Sequence, residues 1–181
     1  ERGAAPERLA FHLAAAGRAF DAAVAWRRAA SAAVRRARNR EAIHHARQAL
    51  AMLDGLDPSP DGDVTRRRTL TILAVAMQAT RQPPDELLAV ITAARLAGEG
   101  QDDLYRRMVL DVMEISALHE QGEFLAATKL AEELTDATTA AGDDVSTAYA
   151  LRFLGACRVW RGDLAQGTSE LQRAAELFTG A

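Results

Sequence analysis

The sequence predicts an all-α fold of about nine helices, arranged in antiparallel pairs. Three observations carry this. Apolar residues recur three and four positions apart almost throughout, and no stretch alternates with period two long enough for a strand. Alanine supplies much of the 49% hydrophobic content while aromatics reach only 5%, a balance that favours helices packed closely together. Turn residues interrupt the periodicity at Gly17, around Asn39, at Asp57 to Gly62, at Pro83-Pro84, at Gly98 to Gly100, and at Gly122, Gly142 and Gly162.

These interruptions place the elements in order. A helix over 6–16 stops at Gly17, a second over 20–37 stops before Asn39, and a third over 40–54 runs up to a segment rich in Pro, Asp and Gly, Asp57 to Asp63. Two X-Pro steps in that segment disfavour helix in the residues before them, so the fourth helix is expected over 63–80. Short breaks at Arg81 to Asp85, Gly122-Glu123 and Gly162-Asp163 join the helices of a pair, giving 85–97, 103–120, 123–140, 144–160 and 163–179. Longer breaks, Gly98 to Asp103 and Ala141 to Asp144, separate one pair from the next. Their acidic residues cap the following helix and complement its N-terminal dipole. The chain is expected to be a single helical-repeat domain over 1–181, with a three-helix unit at 1–56 and three helix pairs at 63–181.

The stretch LGACRVWRGDLAQGTSELQRAAELF, Leu154 to Phe178, has glycines at 155, 162 and 167. Each glycine inside a helix costs about 1 kcal/mol relative to alanine, so close backbone approach at Gly155 and Gly167 is the expected compensation. The within-pair turns near Asn39, Arg81, Gly122 and Gly162 recur at steps of about 40 residues, as in an array where each pair buries its face against the next.

On these residues the chain resembles the tetratricopeptide-repeat family, which implies that the antiparallel pairs stack into a right-handed α-α superhelix. Gly155, Gly162, Gly167 and Ala174 fall on that family's small-residue offsets. Ala10, Gly17, Ala22 and Ala29 do so around Trp26, with Ala42 and Ala49 following. The Gly122 repeat keeps Ala127 but has Ile115 at a small position, and the Arg81 repeat keeps Ala94 but has Leu87. The N-terminal stretch through Leu9, His12, Ala16-Gly17, Trp26, Ala29, Glu41-Ala42, His45 and Ala49-Leu50 also resembles the helical-repeat region of large bacterial signalling ATPases, some linked to class III cyclase domains and some to LuxR-type DNA-binding domains. The resemblance implies a non-catalytic, cytoplasmic interaction or regulatory scaffold, bound to a protein or to other domains of its parent chain. It makes His12 and His45 packing residues. The start at Glu1 rather than Met fits a piece of a longer protein.

Chemistry is sparse. No phosphate-cradling motif is present: Gly98-Glu99-Gly100 lacks the Lys-Ser/Thr that such a loop needs, and the one lysine is Lys129. Glu41, His44 and His45 invite a metal test, but adjacent histidines on a helix diverge by about 100° and no third ligand follows. Cys157 reads as a packed core thiol. Asp102-Asp103, Glu132-Glu133 and Asp143-Asp144 read as caps or solvated pairs. No catalytic constellation, metal or cofactor is expected. The basic runs Arg35 to Arg40 and Arg66 to Arg68 lack interleaved aromatics, and the net charge is -3, so they read as exposed faces or domain contacts rather than a nucleic-acid surface. No apolar run reaches membrane-spanning length.

The inner face of a repeat array, lined by the first helix of each pair, is where partners bind. Here it would present Met113, Ser116, His119 and Glu120, then Tyr149, Arg152, Phe153 and Trp160. Aromatics and arginine dominate interface energetics; the competing reading is that Phe153 and Trp160 only seal helix packing. A small-molecule effector held in an alanine-lined cavity is the alternative function, and an enzyme is the third.

Overall fold

The structure is a computed structural model that describes residues 6–97 and 104–180. Among these it contains nine α-helices and no strand: α1 (Pro6–Ala15), α2 (Ala19–Arg35), α3 (Asn39–Asp54), α4 (Pro60–Ala79), α5 (Pro84–Leu96), α6 (Leu104–Glu120), α7 (Phe124–Ala140), α8 (Asp144–Trp160) and α9 (Leu164–Gly180). Contacts divide the chain into two compact units, Glu1–Gln101 with α1–α5 and Asp102–Ala181 with α6–α9. The break expected at Gly98 to Asp103, including Asp102-Asp103, lies outside the described residues.

In the first unit each helix packs on its chain neighbour, and α2 also touches α4. Ala10, Ala25, Trp26, Ala29 and Ala49 form a buried cluster, with Leu13 and Met52 packed against it. The small side chains let the helices approach, and Trp26 supplies the volume that the four alanines lack. The Pro/Asp/Gly segment expected to divide the chain lies inside this unit, where α3 and α4 pack together on either side of it. α4 begins at Pro60, three residues before its expected start. Ser59, in extended conformation, accepts a hydrogen bond at its Oγ from the Gly62 amide (3.1 Å), and Pro60 takes the first helical position, where its missing N–H is no loss.

The second unit is more regular than the alternation of short and long breaks predicts. Its helices begin at 104, 124, 144 and 164, each 17 residues long, so the step is 20 residues per helix. The Ala141 to Asp144 connection has the same geometry as the two taken for within-pair turns. At each of the three, the glycine amide donates three residues back and the following amide donates five back: Glu123 to Leu118 O at 2.9 Å, Asp143 to Thr138 O at 3.3 Å, Asp163 to Arg158 O at 2.9 Å. This helix-ending motif needs a left-handed residue, and Gly162 provides it at φ +92°. In the first unit Gly17 (φ 72°) makes the same motif after α1, while Ala37 (φ 55°) and Arg81 (φ 51°) make it without glycine. The left-handed residue of the second turn is therefore Ala37, two positions before Asn39.

Met108, Ile115, Ala127, Ala131, Leu134, Ala150, Leu154 and Cys157 form the core of the second unit. Threonines on the buried side of α7 add no orphaned donors: Thr128, Thr135 and Thr138 donate to Phe124 O, Ala131 O and Leu134 O at 2.7, 2.8 and 3.0 Å. The glycine expectation is met at the crossing of α8 and α9. A Cβ at Gly155 would lie 2.8 Å from the Gly167 carbonyl oxygen, and one at Gly167 would lie 2.8 Å from the Gly155 carbonyl oxygen. Ala174, about two turns further along α9, is buried as well.

Candidate functional site

The face singled out by sequence belongs to α6 and α8 of the second unit, which touch directly although α7 lies between them in the chain. On α8, Tyr149, Arg152, Phe153 and Trp160 fall at spacings of three, four and seven and share one side of the helix. Over 11 residues at 1.5 Å each, Tyr149 and Trp160 stand about 16 Å apart along the axis. Trp160 is 67% exposed and Tyr149 43% exposed, while Phe153 is half-buried against the core. The sealing role therefore applies to Phe153. Trp160 carries most of its surface into solvent, which a packing residue of that size does not do.

Two ring clusters mark the ends of this face. At one, the His119 ring meets Phe124 edge-on at 5.1 Å and Trp160 edge-on at 5.0 Å. His119 Nε2 is shielded from solvent and has no hydrogen-bond partner. At the other, Tyr149 meets Phe178 of α9 at 5.1 Å, and the Arg152 guanidinium lies over Phe153 at 4.4 Å and over Tyr149 at 6.0 Å. This cation–π placement holds an exposed charge flat against the aromatic surface. Glu120 is exposed at the His119 end. Ser116 is half-buried, its hydroxyl donating to Val112 O at 2.9 Å, so it contributes little to a partner. Met113 is only 5% exposed and belongs to the interior, because in the middle of α6 the neighbouring helices cover its side.

Three residues that the sequence reading missed extend the surface: Tyr105, 70% exposed, with Phe124 and Phe178. Tyr105 was within reach of the periodicity, since Tyr105, Val109, Val112 and Ser116 follow one another at helical spacing on α6.

The opposite side of α8 is a structural clamp. Arg158 Nη2 donates to Glu132 of α7 at 2.9 Å and Arg158 Nη1 pairs with Glu170 of α9, so one guanidinium ties three helices. Hydrogen bonding to Glu132 raises the Arg158 pKa, while burial pushes the Glu170 carboxyl up against the opposing pull of Arg158. Glu132 is thus an ion-pair partner, Glu133 pairs with Lys129 at 3.9 Å, and Asp143 caps α8 through the Ser146 amide at 3.0 Å.

The remaining candidates resolve as follows. Cys157 is buried and burial raises its thiol pKa, the reverse of what an activated thiolate needs. His45 stacks on Trp26 (5.2 Å, 26°), as a packing residue; burial and then His44 lower its pKa. His12 is exposed and does not pack, because it lies on the outer side of the terminal helix α1. The His44 and His45 rings are 5.6 Å apart at 62°, and both meet Trp26, His45 stacked on it and His44 edge-on at 6.4 Å. Among the described residues no three His, Cys, Asp or Glu side chains gather to hold a metal ion, and no helix is long and apolar enough to cross a membrane. A crevice of about 110 Å³ at the α3–α4 connection is lined by Leu53, Pro58, Ser59, Asp63 and Arg66. It is polar and well below the roughly 300 Å³ where ligand pockets begin, unlike the alanine-lined cavity expected for an effector.

No family model matches the chain, and no curated protein is similar to it.

Proposed function

We propose that this chain is a non-catalytic, tetratricopeptide-like interaction and regulatory domain of a bacterial multidomain signalling or transcription-regulating ATPase, working in the cytoplasm. Its α6/α8 face seats a segment of a protein partner or of another domain of the parent chain. One observation carries the reading: Trp160, Tyr149 and Arg152 lie exposed on one side of one helix, held in place by ring contacts with His119, Phe178 and Phe153. Rigid aromatics and arginine are the side chains that contribute most when a surface is covered, since they lose little conformational freedom and bury much area. The face also has polarity. Arg152 near one end favours an acidic group on the partner, and Glu120 at the other favours a basic one.

The test is affinity capture from lysate of the source organism with the wild-type chain and with an Arg152→Glu, Trp160→Ala double variant of equal helicity. The reading requires a protein retained by the first and lost by the second, which then binds as a purified component. Equal recovery from both would reject the α6/α8 face as the binding surface.

A further inference from the structure

The helix pairs of the second unit match position for position, but burial does not. α6 and α8 begin at 104 and 144, and α7 and α9 at 124 and 164, so each residue of α7 has a counterpart 40 residues on in α9. Ala127 and Leu134 are buried, and so are their counterparts Gly167 and Ala174. Thr128, Ala131, Thr135 and Thr138 are buried on α7 as well. Their counterparts Thr168, Leu171, Ala175 and Phe178 are all exposed, Leu171 by 36% and Phe178 by 41%. What α7 has and α9 lacks is a following helix. α7 packs against α6 and α8, whereas α9 packs on α8 with no later helix among the described residues.

With Leu164, which is 61% exposed, these four residues form one stripe on α9 at intervals of four, three, four and three. At about 100° per residue, the charged residues Glu170, Arg173 and Glu176 stand well away from the stripe, and its free border is Ala165, Gln172 and Thr179. An uncharged border selects no charged partner and does not repel a second copy of itself. The intervals also match when the helix is reversed. Two antiparallel copies of α9, with Leu164 opposite the partner's Ala175 and Thr168 opposite the partner's Leu171, hold four layers in register. Each layer sets a large side chain against a small one, which lets the helices close to about 8–10 Å without voids. A parallel copy would instead put leucine on leucine and threonine on threonine. We propose that the Leu164 to Phe178 stripe of α9 is a homodimerisation surface, on which the antiparallel α9 of a second copy takes the place that α8 holds on α7.

Sedimentation equilibrium of the 181-residue chain from micromolar to millimolar concentration is the experiment, since a contact built on one helix from each copy stands at the small end of protein interfaces. The mass should rise from one chain to two as concentration increases. Ala175→Glu and Leu164→Lys, both at exposed positions and checked for unchanged helicity by circular dichroism, should each stay monomeric, because the new charge would be buried against an apolar residue. Mixed in equal amounts, the two variants should recover the dimer: one layer then pairs lysine with glutamate and the other keeps leucine on alanine. A chain that stays monomeric throughout would overturn the proposal and leave the stripe to a helix of a different protein. A dimer that survives in Ala175→Glu, or variants that fail to complement each other, would overturn it as well.

Discussion

Replacing Gly155 by alanine sets two physical effects against each other. Helix propensity alone favours the change by about 1 kcal/mol, because Gly155 lies inside α8. The new Cβ would stand 2.8 Å from the Gly167 carbonyl oxygen and 2.8 Å from Leu171 Cγ, where unstrained contacts lie near 3.5–4.0 Å. Leu171 can change rotamer. The Gly167 oxygen belongs to the α9 backbone, so relief requires the two helices to separate, and overpacking of this kind costs about 1–3 kcal/mol. Because the nearest atom is backbone that cannot rotate away, the clash should win, and Gly155→Ala should lose up to about 2 kcal/mol net. Gly167→Ala should behave alike, since its Cβ meets Gly155 O and Val159 N. Gly55→Ala is the contrast: at φ -89° with nothing within 4 Å, it should gain about 0.4–1 kcal/mol by restricting the unfolded chain. Urea unfolding followed by circular dichroism reads all three through the midpoint. A midpoint for Gly155→Ala at or above wild type would refute the close crossing of α8 and α9.

Ala37 is exposed and left-handed at φ 55°, so Ala37→Gly should raise stability by about 1 kcal/mol in the same urea assay. Arg158→Met should cost about 1–3 kcal/mol, because it leaves the largely buried Glu170 without its countercharge; Arg158→Lys should recover only part of this in thermal unfolding, lacking the fork that reaches two helices. Hydrogen bonds from the Ser146 hydroxyl and amide hold the Asp143 carboxyl below its usual pKa. Its contribution is therefore present above the unfolded-state pKa and disappears as pH falls through the lower folded value, and a pH series of unfolding midpoints should lose that component in Asp143→Asn.

Helix existence and position were legible because the signals are local. Periodicity sets each helix, and a left-handed residue follows α1, α2, α4, α6, α7 and α8; eight of the nine helix starts fall within one residue of expectation, and α4 departs only because the Ser59 cap and Pro60 act together. Ala37 and Arg81 were harder to place, since nothing in an alanine or arginine announces a positive φ that the chain contacts impose. The close approach at Gly155 and Gly167 could be read because a paired glycine cost in two helices implies a paired gain. What resisted reading was coverage. Helical spacing puts Met113, Phe153 and Trp160 on definite sides of their helices, but whether a neighbour covers that side depends on where the helix ends. Met113 sits mid-helix and is enclosed, whereas Trp160 is the last residue of α8 and projects beyond its neighbours' cover. The arginine run at 66–68 resisted for the same reason, because three adjacent side chains leave the helix in three directions: Arg66 pairs with Asp54, Arg67 is buried and Arg68 is exposed.

The α6/α8 face is tested most directly by the emission of Trp160. In a Trp26→Phe background it is the sole tryptophan, exposed before binding. Titrating the captured partner should shift its emission to the blue and protect it from acrylamide quenching, with both changes lost in Arg152→Glu. Saturable binding that leaves Trp160 emission and quenching unchanged would contradict the assignment of this face.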